Sequence, residues 1–197
     1  GFISDYRKWF QEVHPTAWTG DRATEFLHEY DREQPFFLKV SFARPHSPYD
    51  PPGYYLAKVA PETVPKHTVG NWSEAKFGDF RNPEKHTAPR NNLGDEITSA
   101  ARRAYAANIN FIDEQIGNML WVLEKRGMMK NTLLVFTSDH GDMLGDHHLW
   151  RKTYAYEGSA AVPMLMLWGD DVMRAQRGQL RDELVELRDL LPTFLDA

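Results

Sequence analysis

Hydrophobic positions recur along this chain with two periods, and the changes between them outline the elements. Phe26, Leu27 and Tyr30 lie at helical spacing within residues 21–31, which predicts a short helix with Thr19 or Asp21 as its cap. Pro35 then precedes the run Phe36-Phe37-Leu38-Lys39-Val40-Ser41-Phe42, and Pro45 follows it. A short aromatic and β-branched run between prolines predicts a buried strand. Residues 44–92 carry Pro45, Pro48, Pro51, Pro52, Pro61, Pro65, Pro83 and Pro89, which break helices and central strands alike. A stretch this long and irregular is expected to be a lid or binding loop.

From Asp95 to Arg126 the pattern returns to threes and fours through Ala101, Tyr105, Ile109, Ile112, Ile116, Leu120 and Leu123. This predicts one long helix ended by Gly127. Residues 132–138 and 163–168 read as two further apolar strands, and the polar, glycine-bearing stretch 139–162 separates them. A short strand near 183–187 and a helix from Asp189 complete the reading. Apolar strands alternating with helices predict an α/β fold with a mostly parallel sheet flanked by helices.

Composition narrows the chemistry. The 197 residues contain no cysteine, so disulfides, thiolate metal sites and a cysteine nucleophile are excluded within the chain. The net charge of −5 lacks the basic footprint of a nucleic-acid binder, yet leaves room for a small anionic substrate held by a local positive cluster. No apolar run reaches the ~18 residues a membrane span needs. The chain opens on Gly1 rather than Met, and its last helix is still apolar at Ala197. Both ends are therefore expected to continue in a longer protein.

In open α/β sheets ligands bind at the carboxyl ends of strands. Two predicted strands end in polar clusters: Arg44-Pro45-His46-Ser47-Pro48-Tyr49, and Ser138-Asp139-His140-Gly141-Asp142 with Asp146, His147, His148, Arg151, Lys152 and Glu157 beyond. A carboxylate beside an imidazole at a strand end, with Gly141 to bend the backbone, makes half of a divalent-metal site. The competing reading is Asp139 as a helix cap and His140 as polar surface. Lys152 suits a phosphate or sulfate oxygen, or is simply solvated. His46, held between two prolines, can face an anion or protonate a leaving group, or be an ordinary loop histidine. Asp139, Asp142 and Asp146 lack the alternating oxygen ligands of a calcium-binding EF-hand loop. Gly169-Asp170-Asp171 reads as a turn. The six tryptophans read as packing residues.

The segment 35–49 resembles the sulfatase segment in which a strand ends in a proline-flanked histidine. Thr137-Ser138-Asp139-His140-Gly141, then Gly145-Asp146-His147, Lys152, Tyr156-Glu157-Gly158-Ser159 and Val162-Pro163, resembles the same family's metal-and-sulfate block. Leu190-Leu191-Pro192-Thr193-Phe194-Leu195-Asp196 is similar to the close of its catalytic domain. The resemblance covers most of 35–196 in order. It implies an α/β, alkaline-phosphatase-like sandwich, here incomplete: residues 1–197 would form part of a sulfatase catalytic domain, with 44–92 as the substrate lid. It implies Asp139 and His140 as metal ligands, His46 and Lys152 as sulfate-holding groups, and His147 near the leaving group. It also implies a divalent metal (calcium, or else magnesium or manganese), and a periplasmic or secreted protein.

Three departures stand beside the likeness. His140 occupies a place where the family often has asparagine. Ala161 stands where a polar residue often precedes Val-Pro. The C/S-x-P-x-R motif that yields the formylglycine nucleophile does not occur, nor does the early acidic pair that completes the metal site. The nucleophile segment and the C-terminal subdomain are expected outside this chain, which alone should be inactive. The expected substrate is a small-molecule or carbohydrate sulfate ester, with no nucleic acid and no membrane span involved. Tyr54, Tyr55, His67, Trp72 and Arg81 are the lid residues expected to shape the choice of alcohol. The alternatives are a phosphodiester or phosphonate monoester hydrolase of the same superfamily, a non-catalytic anion- or metal-binding module, and a purely structural α/β domain.

Overall fold

The computed structural model describes residues 13–77, 89–169 and 178–197. Its frame is a pair of helices. Helix α1 runs from Pro15 to Glu29, and the helix Asp95–Lys125 lies across it. Helix α1 starts six residues before the predicted start. Its cap is His14, whose Nδ1 accepts the Thr16 amide at 3.1 Å, with Pro15 pre-set in the first turn. The face that the first turns bury is made of small residues, Ala17, Gly20 and Ala23 before Leu27, while Trp18 points to solvent, 63% exposed. A Cβ at Gly20 would come within 2.4 Å of the Gln115 Oε1, so the close approach of the two helices needs glycine there. Phe26 and Tyr30 instead pack with Phe36 in edge-on contacts of 5.4 and 4.9 Å.

Between these helices the chain forms α2 (Gly53–Lys58) and α3 (Ser73–Phe77), so that Asp95–Lys125 becomes α4. Helix α4 ends as predicted, at Gly127 with φ 67°. Its buried stripe is Ala101, Ala104, Ala107, Phe111, Met119 and Val122, whereas Ile109 faces solvent. Helix α2 packs on α4 through Tyr55, which stacks on Phe111 at 4.4 Å and donates its hydroxyl to Glu114. Arg103 of α4 then binds the carbonyls of Leu56 and Val59. Tyr55 and Val59, inside the predicted lid, are therefore core residues. Tyr55, expected to shape substrate choice, is wholly buried, whereas Tyr54 is exposed. Arg81 lies outside the described residues.

Strands β1 (Leu134–Thr137) and β2 (Met164–Leu167) form where predicted, with Leu134 opposite Leu167 and Thr137 opposite Met164. The α/β class holds, but this pair is antiparallel, not the parallel arrangement expected for most of the sheet. The reason lies in residues 138–163. A parallel return needs a crossover packed over the sheet, usually a helix. Here the connection leaves the strand end, loops through polar turns and α5 (Glu157–Ala160), and returns from the same end.

Residues 35–43 are not a buried strand. They are extended, and among the described residues they join no ladder. Phe36, Leu38, Val40 and Phe42 touch the cluster of Ala23, Leu27, Met119, Val122 and Leu123, while Phe37 is 75% exposed. The apolar run is thus buried on one face only. The strand predicted at 183–187 is absent as well. Glu186 and Asp189 exchange side-chain and backbone bonds that start a helical turn at Leu187–Asp189, leading into α6 (Leu190–Asp196), the helix predicted from Asp189.

Candidate active site

The two polar clusters meet. Lys152 Nζ lies 3.1 Å from His46 Nε2, across 106 residues of sequence. The His46 ring lies 6.2 Å from that of His140, centre to centre, and His140 Nε2 is 3.5 Å from Asp139 Oδ2. Lys152, His46, His140 and Asp139 therefore form one continuous row at the end of β1.

Each imidazole in the row is oriented by a backbone carbonyl. His46 Nδ1 lies 2.8 Å from the Ser47 oxygen, and His140 Nδ1 lies 2.7 Å from the Gly141 oxygen. A carbonyl only accepts, so both Nδ1 atoms carry hydrogen in the neutral ring and both Nε2 atoms present lone pairs. The lone pair of His46 receives a proton of the Lys152 ammonium. That ammonium has three donors, and the others can serve an anion.

The loops that carry these groups are braced by charge. Arg44 grips Asp50 with two bonds of 2.5 and 2.6 Å, and His14 Nε2 stands 3.7 Å from the same carboxylate. Burial pushes the Asp50 carboxyl up, and the hydrogen bonds and charges of His14 and Arg44 outweigh it, leaving it at about 2. Between Arg44 and Asp50 sits His46, so the ion pair closes the loop that presents it. Next to Asp50, the fully buried Tyr49 donates its hydroxyl to Asp142 Oδ2 at 3.0 Å. The other oxygen of Asp142 accepts the amides of Leu144 and Arg151 at 2.9 and 2.8 Å. One carboxylate thus ties the His46 loop to both ends of the loop that leads to Lys152. Burial, with the Asp142 charge added, drives the Tyr49 phenol far upward and Tyr105 up to about 12, so both stay neutral donors.

Gly141 explains a second motif. Its amide donates to the Ser159 carbonyl, and a Cβ on it would come within 2.2 Å of the Gly158 oxygen. Tyr156-Glu157-Gly158-Ser159 packs directly on the turn that aims Asp139 and His140. The stretch 144–153 is also held in rare backbone states: Leu144, His147, His148, Arg151 and Thr153 all have φ between 46° and 98°. Strain of this kind persists where surrounding contacts over-determine it, and it collects at functional sites.

His147 is placed differently from the row. Among the described residues its hydrogen bonds are with residues 68–73: its amide donates to Thr68, its Nδ1 accepts the Gly70 amide at 3.0 Å, and its carbonyl accepts from Ser73. Its ring packs on Trp72 at 4.6 Å and Tyr156 at 5.3 Å. Because Nδ1 accepts, the neutral ring carries its proton on Nε2.

Two donors of one divalent ion, at right angles, lie about 3 to 3.5 Å apart. Asp139 Oδ2 and His140 Nε2 have that separation, and the Asp139 side chain is 86% exposed, its other oxygen accepting the His140 amide at 3.1 Å. The pair therefore fits part of a coordination sphere. Among the described residues no third histidine or carboxylate joins it. The imidazole favours a softer ion than calcium, which prefers oxygen.

Sequence reasoning missed Arg44, Tyr49, Asp50 and Asp142 as working parts of the site. Arg44, Tyr49 and Asp142 stood in the two polar clusters without an assigned role, because their roles depend on partners up to 93 residues away.

The family model described as Sulfatase matches residues 5–197. The chain is 39% identical over 192 residues to an arylsulfatase of Clostridium perfringens, covering 96% of this chain and 40% of that protein. It is 33% identical over 160 residues to a choline-sulfatase of Rhizobium meliloti, covering 73% of this chain and 30% of that protein. Among solved structures, the phosphonate monoester hydrolase of Silicibacter pomeroyi superimposes with a TM-score of 0.72 at 25% identity, over 95% of this chain and 38% of that one. The phosphonate monoester hydrolase of Agrobacterium radiobacter does so with a TM-score of 0.68 at 27% identity, over 81% of this chain and 34% of that one. The chain spans at most about two-fifths of the length of these proteins.

Proposed function

The chain belongs to the sulfatase family, and from that premise we propose that it supplies the anion-holding half of an active site for sulfate-ester hydrolysis. The observation that carries the reading is the 3.1 Å approach of Lys152 to His46, on two loops locked together through Asp142 and Tyr49. Lys152 donates to a sulfuryl oxygen with the N–H groups that His46 does not take. The preset loops hold that charge where negative charge redistributes as the ester bond to sulfur breaks. His46 fixes the ammonium in place through Nε2. Asp139 and His140 would contribute two ligands to a divalent ion, which when bound would polarise a sulfate oxygen. His147, whose neutral ring carries its proton on Nε2 and packs against Tyr156, would be the group that protonates the departing alcohol.

The chain has no Cys and no Ser-x-Pro-x-Arg, so it does not itself supply the formylglycine of the family mechanism. Residues 1–197 alone are expected to give no turnover of an aryl sulfate, whereas the complete protein carrying the nucleophile motif hydrolyses it. Turnover by this chain alone would refute the division of labour. Failure of the complete protein, with its nucleophile formed, would favour a non-catalytic anion-binding module.

A second reading rests on the two phosphonate monoester hydrolases that share the fold. Phosphonate and sulfate are both tetrahedral oxyanions, and the Lys152–His46 pair suits either. Comparing kcat/KM for an aryl sulfate and an aryl phosphonate monoester ranks them. The sulfatase reading requires the sulfate to be the better substrate.

A further inference from the structure

Strand β1 ends at Thr137, and Ser138 opens the turn that presents Asp139 and His140. Polar groups in that turn are paired in a definite pattern. The Ser138 hydroxyl donates to the His140 carbonyl at 2.8 Å. The His140 amide donates to Asp139 Oδ1 at 3.1 Å, and the His140 ring meets the Gly141 carbonyl through Nδ1 at 2.7 Å. The Gly141 amide donates to the Ser159 carbonyl at 2.9 Å. Both backbone groups of His140 and both of Gly141 therefore have partners. Three of those four partners are side chains of the turn itself.

The pattern leaves one atom over on each of two side chains. These are Asp139 Oδ2 and His140 Nε2, which stand 3.5 Å apart. Ser138 differs from both neighbours. A serine hydroxyl has one proton to donate, and here the His140 carbonyl takes it, while the oxygen stands 3.5 Å from Asp139 Oδ1. Ser138 thus touches both members of the pair and keeps no donor for a ligand. A hydroxyl at a strand end is otherwise an ordinary polar surface group, but this one is half-buried beside an exposed Asp139. Without it the backbone at His140 can twist, and the ring, bonded to the next carbonyl, moves with it.

We propose that Ser138 is the positioning residue of the Asp139–His140 pair: its hydroxyl holds the His140 backbone so that Oδ2 and Nε2 reach one divalent ion together. The inference deepens the proposed function and rests on its reading of the pair as metal ligands. It concerns the residue behind the ligands, a kind of group whose loss costs roughly 10- to 100-fold in metal affinity.

The test measures Mn²⁺ binding by the complete protein, from the loss of the free-ion signal in electron paramagnetic resonance, and needs no substrate. Ser138→Ala is expected to weaken binding by about 10- to 100-fold. Ser138→Thr keeps the hydroxyl and should bind close to the parent. Ser138→Val has the shape of threonine without the hydroxyl and should lose as much as Ser138→Ala. The metal-free unfolding midpoints of the Thr and Val proteins should lie close together, so that their difference in affinity reports the site and not the fold. Equal affinity in the parent and both hydroxyl-free variants, or no Mn²⁺ binding by the parent, would overturn the inference. So would unfolding of both hydroxyl-free variants, which would make Ser138 a residue of the fold. Hydrolysis of an aryl sulfate separates this inference from the proposed function. If binding depends on the hydroxyl but no sulfate is hydrolysed, the hydrolytic reading fails and the role of Ser138 stands. If sulfate is hydrolysed while the affinity ignores the hydroxyl, the role of Ser138 alone fails.

Discussion

Tyr49, Leu149 and Trp150, in the loops that carry His46 and Lys152, have no exposed surface, whereas Leu165 and Met166 of β2 are 57% and 49% exposed. These loop residues are thus better buried than those of β2. They are also better tied. Trp150 is held through its indole to Asn91, Tyr49 through its hydroxyl to Asp142, and Asp142 through two further amides. Strands β1 and β2 are joined mainly to each other over four residues. In this molecule the precision of the site resides in buried polar bonds between loops, and the strand pair serves mainly to start and end the loop that carries them. Loops with unsatisfied backbone groups cannot be buried, so a buried loop must be hydrogen-bonded almost throughout.

The sharpest way to break that contrast is at its chemical centre. Lys152→Ala in the complete enzyme is expected to lower kcat/KM for an aryl sulfate by roughly 10²–10³, the scale for losing a preorganised donor to transition-state charge. Its unfolding midpoint should stay near that of the parent, because the proposed role of the Lys152 ammonium is to hold a ligand rather than the fold. A loss under ten-fold would remove Lys152 from the role assigned to it.

The hub tests the structural half. Asp142→Ala leaves the Leu144 and Arg151 amides and the Tyr49 hydroxyl without their acceptor, and is expected to destabilise the chain by about 3 kcal/mol in chemical denaturation. Tyr49→Phe, which removes one of those bonds, should cost about 1 kcal/mol. If both substitutions leave the denaturation midpoint unchanged, the loops are not held in the way described.

Acid offers a graded version of the same test. The Asp50 carboxyl sits at about 2 when folded, below its ordinary value of 3.8. The stability it contributes is present in full above about pH 4 and is lost as pH falls towards 2, because the unfolded chain takes up the proton first. The melting temperature should therefore drop across that interval, and Asp50→Asn should flatten the drop while lowering stability at neutral pH. An identical acid profile for the variant would contradict the Arg44–Asp50 brace.

The smallest effect belongs to the strand pair. Leu165→Ala is expected to cost under about 1 kcal/mol, against about 3 to 5 kcal/mol for Phe111→Ala in the helix core. Comparable losses at the two positions would erase the difference between the regions.

Much of the outline was legible beforehand. Helix α4, the two strands and the final helix follow from apolar period and from stop signals such as Gly127, which act over a few residues. The misreadings share one cause. At 35–43 the apolar run meant one covered face instead of two, because Phe37 points away from the cluster that receives Phe36 and Leu38. At 15–20 the helix was hidden because the face packed on α4 is made of Ala17 and Gly20, which carry no hydrophobic signal. At Tyr55 an aromatic residue in a proline-rich stretch proved to be core.

By itself the sequence determined the residue types available for chemistry, the absence of a cysteine nucleophile, and the family, because motifs and composition are properties of the chain before it folds. Tertiary structure alone decided that Lys152 reaches His46 while His147 bonds to Gly70 and Ser73, that Asp142 joins two loops, and that β2 returns antiparallel to β1. Those outcomes depend on the paths of irregular segments. Such paths have no period to read, and they are set by single polar bonds between residues far apart in the chain.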